Sequence, residues 1–296
     1  MKLEDIKQVT VIGAGNMGSG IAEILSRLGG YQVIMCDTTD ELAQRGLQNQ
    51  QNNLQKFFVD KGKITADEMK AIIGRIKTTS NMAEAVAKAD LVIEAAFENL
   101  ELKKSIFKQL DEASPPHAIL VSNTSYLSVT EMAAQTKKPD KVAGMHFFNP
   151  VAVMKLVEVV RAALTSEETA QIVYELAQKL GKEPVYCRDI YGFLANRATR
   201  SNLDAVELVW AHIATPEDID KAVRLGYNRP VGPLELGDMI ASWALSVHGE
   251  DDAIKEFGWE RGHVHPLIKM MVRAGYTGGQ GKKGIYDFWK DVLSKW

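Results

Sequence analysis

Side chains suited to acid–base chemistry lie in or just after apolar runs typical of strands. His146 lies in the run 141–148, and Glu158 lies in the next run, beyond a turn at Pro150. Since the pKa of histidine is near neutrality, an imidazole can take the proton of an alcohol while a carboxylate fixes its tautomer. A third polar group, the turn 122–125, follows another run. Taken singly, His146 could be a satisfied core histidine and Glu158 an acid at a strand edge, but together they predict a base and its partner.

The elements that must position these groups follow from the hydrophobic pattern of the first half. Short apolar runs alternate there with amphipathic stretches, which is typical of an α/β doubly wound, Rossmann-type sheet. Since parallel strands end at one edge of the sheet, we expect the polar groups to converge there. The predicted strands are 8–13, 32–37, 90–96, 118–123 and 141–148, and a further strand, helix and strand are predicted at 155–160, 166–180 and 183–188. The predicted helices between them include 19–28, 100–113 and 129–135.

The second half has a different pattern. After residue 189 apolar residues recur at helical spacing, with no run typical of a strand. The pattern predicts a Rossmann-like domain over 1–189, with a helical-hairpin insertion at 47–73, and an all-helical C-terminal domain over 190–296. The predicted helical segments are 193–213, 216–225, 234–247 and 266–274.

A glycine-rich loop follows the first predicted strand. Its glycines are spaced G-x-G-x-x-G, a weak signal by itself because glycine-rich turns are common. Here, however, the loop opens a helix and is followed about twenty residues later by an acid that ends the next strand, Asp37, which completes the dinucleotide fingerprint. The pyrophosphate of a dinucleotide is expected at the helix N-terminus. The predicted loop residues are Gly13, Ala14, Gly15, Asn16, Met17 and Gly18.

Asp37 selects between the two nicotinamide cofactors. Its carboxylate is expected to accept hydrogen bonds from the adenosine ribose and to repel a 2′-phosphate, and no arginine follows before Arg45. The alternative is a turn acid or helix cap at the start of the next helix. The fingerprint favours NAD over NADP.

Composition excludes several classes of protein. The chain has 296 residues, 46% of them hydrophobic and 25% charged, and a net charge of −3, which is typical of a globular protein and gives no basic footprint for nucleic acid. Two distant cysteines predict neither a disulfide framework nor a metal site. No apolar run approaches the roughly 18 residues of a membrane span, and we expect no membrane partner. The expected location is cytoplasmic, although a processed organellar chain would look the same.

Several longer motifs resemble the 3-hydroxyacyl-CoA dehydrogenase family. They are His146-Phe147-Phe148-Asn149-Pro150, Met154-Lys155-Leu156-Val157-Glu158, Ser122-Asn123-Thr124-Ser125, Glu94-Ala95-Ala96-Phe97-Glu98-Asn99-Leu100, Gly192-Phe193-Leu194-Ala195-Asn196-Arg197 and Gly284-Ile285-Tyr286-Asp287-Phe288. The resemblance covers essentially the whole chain, with the motifs in the same order. It implies an oxidoreductase that interconverts (3S)-3-hydroxyacyl-CoA and 3-ketoacyl-CoA with NAD, with a short-chain substrate such as 3-hydroxybutyryl-CoA, in fatty-acid β-oxidation or butyrate metabolism.

The resemblance also implies a role for individual residues. His146 is the general base, Glu158 its partner, and Ser125 and Asn196 hold the 3-oxygen of the substrate and the histidine. The nicotinamide half of NAD is expected at Glu98, Lys103, Ser125 and Asn149. Lys56, in the predicted hairpin, is expected to contact the phosphates of coenzyme A, although an isolated lysine is more often a solvated charge. The resemblance further implies a homodimer through the helical domain, where apolar residues such as Val206 and Val209 recur.

Two departures from the family pattern leave alternatives open. Tyr126 stands where a second serine is usual, and Gln280 stands where the family has a lysine near the cofactor, with Lys282 and Lys283 close by. These changes are compatible with another alcohol substrate. One alternative is a sugar-acid (gulonate-type) dehydrogenase of the same fold, and another is a non-catalytic, crystallin-like NAD-binding protein, against which the intact Ser125, His146, Glu158 and Asn196 argue.

Overall fold

Eight strands form one sheet in the computed structural model of the chain, which describes residues 1–198, 202–258 and 262–295. The order across the sheet is β3-β2-β1-β4-β5-β6-β7-β8, and neighbouring strands are parallel except for the antiparallel pair β6 and β7. This confirms the predicted doubly wound sheet. The strands are β1 (Gln8–Ile12), β2 (Gln32–Cys36), β3 (Ile76–Thr79), β4 (Leu91–Glu94), β5 (Ile119–Ser122), β6 (Val142–Phe147), β7 (Leu156–Arg161) and β8 (Glu183–Arg188).

The central strands explain why the polar groups meet at one edge. Every residue of β4, β5 and β6 is buried, as expected for parallel strands covered on both faces. Since β1, β2, β4, β5 and β6 run in the same direction, the loops that follow them lie at the same edge of the sheet. The antiparallel β7 begins at that edge, so its residues pair with the end of β6.

Helices cover both faces of the sheet and enclose two apolar cores. Several begin at a side chain that accepts a hydrogen bond from the first turn, such as Thr39, Asn99 and Ser166. These caps fix where each helix starts relative to the strand before it. The helices of this unit are α1 (Asn16–Arg27), α2 (Asp40–Leu54), α3 (Ala66–Gly74), α4 (Met82–Val86), α5 (Leu100–Ala113), α6 (Val129–Ala133) and α7 (Glu167–Lys179), and short 3-10 helices occur at Leu3–Asp5 and Pro139–Lys141.

A helical excursion lies between β2 and β3, over the region predicted as a hairpin at 47–73. It consists of α2, a π-helical turn at Gln55–Val59, and α3. Leu54, Met69 and Ile72 form a small core of its own. A Cβ on Gly46 would lie 2.4 Å from the backbone oxygen of Ala14, so this glycine lets α2 pack directly on the glycine loop.

The second unit, Ala195–Trp296, contains helices and no strand among its described residues. Its core is built around Trp243, Leu267 and Phe288 and includes Val206 and Val209. The domain boundary expected after residue 189 stays a prediction. The helices are Ala195–Ala198, Asn202–Trp210, Pro216–Tyr227, Pro233–Met239, Ser242–His248, Glu250–Phe257, Pro266–Arg273 and Ile285–Asp291, followed by a 3-10 turn at Leu293–Lys295.

Two predicted helical segments were wrong in detail. The segment 234–247 is two helices, because Ala241 adopts a left-handed backbone conformation (φ 56°) that ends one helix and begins the next. The segment 193–213 begins instead with a turn, since Phe193 has φ 45°, and residues 199–201 within it lie outside the described residues. The strand β3 and helices α4, Glu250–Phe257 and Ile285–Asp291 were not predicted. No helix among the described residues is long and apolar enough to cross a membrane.

Candidate active site

The glycine loop connects β1 to α1 in a conformation that requires glycine at two positions. Gly13 has φ 98°, and its N–H donates to the carbonyl oxygen of Cys36 at 2.7 Å. A Cβ on Gly13 would lie 2.6 Å from the oxygen of Ala95, and one on Gly18 would lie 1.9 Å from the oxygen of Gly13. Side chains at either position would therefore displace backbone, as the fingerprint predicts for a tight turn and close helix packing.

The middle of the loop is open. A Cβ on Gly15 would meet nothing within 4 Å, and α1 begins at the next residue, Asn16. The Nδ2 of Asn16 donates to the Oδ1 of Asn149 at 3.1 Å, which connects the loop to the segment that follows β6. Met17 is half-buried against the main core. The loop thus leaves free space at the N-terminus of a helix, which fits the pyrophosphate of a dinucleotide.

Asp37 lies beside this loop at the end of β2. One of its carboxylate oxygens accepts from the N–H of Ala14 at 2.6 Å, and the other accepts from the N–H of Thr38 at 2.7 Å. The side chain is half-buried, and each oxygen keeps acceptor capacity beyond these bonds. This negative charge at the amino-terminal side of the loop fits a ribose with free hydroxyls better than a ribose phosphate.

His146 and Glu158 are direct cross-strand partners on β6 and β7. The Nδ1 of His146 lies 2.7 Å from the Oε2 of Glu158, and both side chains are buried. The imidazole also packs against the rings of Phe148 and Phe193, at centroid distances of 4.5 and 5.7 Å. If Nδ1 donates to the carboxylate, Nε2 is the nitrogen that can take a proton from a substrate. The structure thus brings together the two residues that the sequence paired.

The second oxygen of Glu158 holds the chain where the first unit ends. Its Oε1 accepts from the backbone N–H of Leu194 at 2.9 Å. Nearby, burial together with the charges of Glu158 and Asp189 raises the pKa of Cys187 to about 12. Its thiol is therefore protonated near neutral pH and inert as a nucleophile.

Glu98 organises the turn that carries Ser125. Its Oε1 accepts from the hydroxyl of Thr124 at 2.6 Å and from the backbone N–H groups of Ser125 and Tyr126 at 2.8 and 3.2 Å. The rings of Tyr126 and Tyr191 pack with centroids 5.3 Å apart. Ser125 is thus held on a fixed turn at the end of β5, on the same edge as His146.

A buried polar network under this turn was missed by the sequence analysis. Lys103 is 1% exposed, and its Nζ donates to Glu94 Oε1 at 2.6 Å and to the Ala96 oxygen at 3.2 Å. The hydroxyl of Ser122 donates to the other oxygen of Glu94 at 2.6 Å. The signal in the sequence was a glutamate closing the apolar run of β4, a residue that rarely lies in such a run unless it is paired.

Three further residues singled out in the sequence lie on other elements. Lys56 is exposed on the π-helical turn, with its Nζ 5.2 Å from the ring centroid of Phe57. Asn196 belongs to the short helix that opens the second unit, and its role beside His146 stays a prediction. Gln280 lies in a glycine-rich segment of the second unit, and the Nζ of neighbouring Lys283 donates to Asp291 at 2.7 Å.

The parallel sheet, the glycine loop, the acid after β2 and the buried histidine–carboxylate pair define an NAD-dependent dehydrogenase. Comparison with known families places the chain more narrowly. Residues 8–190 match the family model described as 3-hydroxyacyl-CoA dehydrogenase, NAD binding domain, and residues 192–288 match the corresponding C-terminal domain. The chain therefore belongs to the 3-hydroxyacyl-CoA dehydrogenase family and is an enzyme of that class.

Individual relatives agree with this assignment. The chain is 44% identical over 286 residues to a protein of Bacillus subtilis (strain 168) named "Probable 3-hydroxybutyryl-CoA dehydrogenase", covering 96% of this chain and 98% of that one. It is 40% identical to the 3-hydroxybutyryl-CoA dehydrogenase of Clostridioides difficile, covering 95% and 99%. The crystal structure of (S)-3-hydroxybutyryl-CoA dehydrogenase from Ralstonia eutropha superimposes with a TM-score of 0.88 at 38% identity, covering 95% and 98%. All three relatives are named as 3-hydroxybutyryl-CoA dehydrogenases.

A substitution at Gly15 should weaken cofactor binding without affecting the stability of the fold. Its backbone (φ −66°, ψ −170°) suits alanine, and the added Cβ meets no protein atom, so Gly15→Ala should keep the thermal midpoint of the wild type. The methyl group fills the space reserved for the pyrophosphate, and we expect the Kd for NADH, measured by fluorescence titration, to rise about tenfold or more, equivalent to ~1.4 kcal/mol. Gly74→Ala, also in open space, is the control. Unchanged NADH affinity in Gly15→Ala would contradict the assignment of this loop.

Proposed function

We propose that the chain interconverts (3S)-3-hydroxyacyl-CoA and 3-ketoacyl-CoA with NAD, and that 3-hydroxybutyryl-CoA is its preferred substrate. The observation that carries the proposal is the buried His146–Glu158 pair, 2.7 Å apart, at the same sheet edge as the glycine loop. The names of the relatives from Bacillus subtilis, Clostridioides difficile and Ralstonia eutropha support the short acyl chain.

The dyad carries the proton in the proposed reaction. Nε2 of His146 takes the proton of the 3-hydroxyl group, and Glu158 stabilises the resulting imidazolium through Nδ1. The nicotinamide ring of NAD supplies the acceptor for the hydride that leaves C3. In the reverse direction the imidazolium returns the proton to the 3-oxygen. Burial of both side chains excludes water that would otherwise compete for the proton.

The remaining site residues are proposed to bind and orient. The hydroxyl of Ser125 and the amide of Asn196 would donate to the 3-oxygen as charge develops on it. Glu98, Lys103 and Asn149 are proposed to surround the nicotinamide half of NAD. In support, the Nζ of Lys103 lies 3.5 Å from Glu98, and Asn149 accepts a hydrogen bond from Asn16 of the glycine loop. Lys56 is proposed to contact the phosphates of coenzyme A, which its exposure on the hairpin allows.

Acetoacetyl-CoA reduction with NADH, followed at the absorbance of NADH, tests the proposed activity. A panel of 3-ketoacyl-CoA esters from about four to sixteen carbons should give the highest kcat/KM at the short end. One extra or missing methylene in an apolar pocket changes kcat/KM by roughly 10- to 200-fold, so the panel can resolve the preferred chain length. In the oxidation direction, with NAD⁺, a sugar acid of the gulonate type is compared with 3-hydroxybutyryl-CoA. The proposal would be overturned if no ester of the panel caused NADH to be consumed. It would also be overturned if the sugar acid were oxidised faster than 3-hydroxybutyryl-CoA.

The cofactor preference depends on Asp37. Asp37→Ala removes acceptors for the ribose and the charge that repels a 2′-phosphate, so we expect the Kd for NADH to rise roughly tenfold and the preference over NADPH to narrow. Asp37→Asn keeps the shape of the side chain and an acceptor for the N–H of Ala14 or Thr38. It should narrow the preference for NADH over NADPH with a smaller loss of NADH affinity than Asp37→Ala. Asp40→Ala, an exposed acid in the first turn of α2, is the control. An unchanged ratio of NADH to NADPH affinity would refute the ribose role.

We further propose a homodimer formed through the second unit. Val206 and Val209, two apolar residues of the stripe noted in this domain, are buried in the core of that unit. Other large apolar side chains there are more than half exposed, which favours an interface. They are Ile213, Leu225, Tyr227, Met239, Ile240 and Leu245. Sedimentation equilibrium should give twice the chain mass, and Tyr227→Glu should weaken association more than Leu28→Glu in the first unit. A monomeric wild-type protein at micromolar concentration would contradict the proposal.

A cytoplasmic location is proposed as well. Cys36 and Cys187 are both free and buried, and burial, with the charges of nearby acids, raises the pKa of both thiols. Free thiols are usual in proteins of a reducing compartment.

A further inference from the structure

Glu94 is a buried carboxylate to which the family resemblance assigns no role. It is the last residue of β4 and is 0% exposed. Its Oε1 accepts from Lys103 Nζ at 2.6 Å and from the N–H of Ala96 at 2.7 Å, and its Oε2 accepts from the hydroxyl of Ser122 at 2.6 Å. One side chain thus connects the ends of β4 and β5 with α5.

The first connection runs to the turn after β5. The hydroxyl of Ser122, which donates to Glu94, also accepts from the N–H of Thr124 at 3.1 Å. The hydroxyl of Thr124 in turn accepts from the N–H of Leu127 at 3.0 Å. Glu94 therefore fixes the start of the turn on which Ser125 lies.

The second connection to the same turn is an ion pair between Lys103 and Glu98. Lys103 Nζ, held by Glu94, lies 3.5 Å from the Oε2 of Glu98. The other oxygen of Glu98 accepts from the backbone N–H of Ser125 at 2.8 Å. Both ends of the turn are thus anchored, directly or through Lys103, to the carboxylate of Glu94.

The position of this triad in the sheet indicates which part of a dinucleotide it faces. Asp37 marks the adenosine side at the end of β2, and a dinucleotide crosses the sheet edge at β1 towards the ends of β4 and β5. The triad of Glu94, Lys103 and Glu98 lies at those ends. The inference that follows rests on the proposed function, since it requires the nicotinamide ring to lie on that side.

The triad contains two carboxylates and one ammonium group, so its formal charge is negative by one unit. An oxidised nicotinamide ring carries a positive charge, and a reduced ring carries none. We propose that Glu94 is a positioning residue that holds Lys103 and the Ser125 turn, and that its charge makes this end of the site favour NAD⁺ over NADH. Within a protein, one unit charge acts over the length of a few side chains strongly enough to change a binding ratio about fivefold.

Glu94→Gln removes the charge and keeps the size of the side chain. Lys103 then has only Glu98 as a carboxylate partner, and the triad becomes neutral. The two dissociation constants, for NAD⁺ and for NADH, are measured by calorimetry on the full chain without substrate. We expect the ratio Kd(NADH)/Kd(NAD⁺) to fall about fivefold relative to the wild type. An unchanged ratio overturns the inference.

Asp90→Asn is the matched control. Asp90 precedes β4 at the opposite edge of the sheet, and its carboxylate accepts from the backbone N–H groups of Lys7 and Gln8. The variant makes the same charge change at the other end of the same strand, so the ratio should remain that of the wild type. An equal fall in Asp90→Asn would mean that the ratio reports the net charge of the protein, and would also overturn the inference.

Glu94→Asp tests the positioning independently of the charge and of any failure of Glu94→Gln to fold. The shorter carboxylate keeps the charge but cannot reach Lys103 and Ser122 together. Both dissociation constants should rise about threefold or more while their ratio stays within about twofold of the wild-type value. Unchanged affinities in a folded Glu94→Asp would refute the positioning role. A wild-type chain that binds neither cofactor would instead refute the proposed function itself.

Discussion

Replacing His146 by glutamine is expected to lower kcat about a thousandfold while the Kd for NADH stays within about twofold of the wild-type value. Glutamine fills a similar volume but cannot take the proton of the 3-hydroxyl group. The glycine loop and Asp37 belong to other strand ends, so the cofactor site keeps its shape. Initial rates of acetoacetyl-CoA reduction and of 3-hydroxybutyryl-CoA oxidation, with a fluorescence titration of NADH, measure the two effects.

His117→Gln is the matched control for this experiment. The Nε2 of His117 lies 3.1 Å from Asp90 Oδ1, so this pair also joins an imidazole to a carboxylate. It lies before β4 and β5 at the opposite edge of the sheet, and His117 is exposed. We expect near wild-type kinetics from it. If His146→Gln lost catalysis and NADH binding in parallel, the histidine would be a structural residue. Retention of more than about a tenth of the wild-type kcat would exclude it as the general base.

Replacing Glu158 by glutamine is expected to lower kcat by a similar factor, roughly a thousandfold. The amide can still accept from Leu194 N–H with its oxygen, which directs its NH₂ group towards Nδ1 of His146. Nδ1 then accepts a hydrogen bond, and the proton moves to Nε2, the nitrogen that must take the proton from the substrate. The imidazolium also loses the opposing charge that stabilises it.

Asp90→Asn makes the same replacement in the His117–Asp90 pair and should leave kcat unchanged. Two-dimensional NMR of imidazole ¹⁵N in the wild type and in Glu158→Gln reports the tautomer directly. The expected result is Nδ1–H in the wild type and Nε2–H in the variant. The same tautomer in both proteins, or a fall in kcat of less than about tenfold, would contradict the orienting role.

The sequence predicted the parts of the site that depend on local geometry. The glycine loop, Asp37 and the ends of β5 and β6 could be placed because parallel strands end at one edge and the glycine spacing leaves few backbone conformations. The pairing of His146 with Glu158 needed one more condition, the antiparallel turn at Pro150. That turn puts two residues opposite each other on neighbouring strands.

What the sequence could not predict depends on contacts between distant residues. The cofactor role of Lys103 stays a prediction, but nothing in the sequence shows that its ammonium group is buried against Glu94 or that the hydroxyl completing this network comes from Ser122 on another strand. Such a network has no short-range pattern. The strand β3 was missed because its residues, Ile76-Lys77-Thr78-Thr79, form an edge strand with little apolar character. The break at Ala241 was missed because only its backbone conformation, and no glycine or proline, marks it.

The cross-strand register of β6 and β7 also affects which substitutions such a protein can accumulate after gene duplication. A slip of one residue between the two strands would turn Glu158 to the opposite face of the sheet and carry its buried neighbours, Val157 and Val159, with it. Selection for folding alone therefore preserves the alignment of His146 with Glu158. Gly15 has no such protection, since a side chain there meets nothing in the folded chain. In a duplicate no longer selected for activity, the fold would tolerate a substitution at Gly15, so a retained Gly15 indicates selection for cofactor binding.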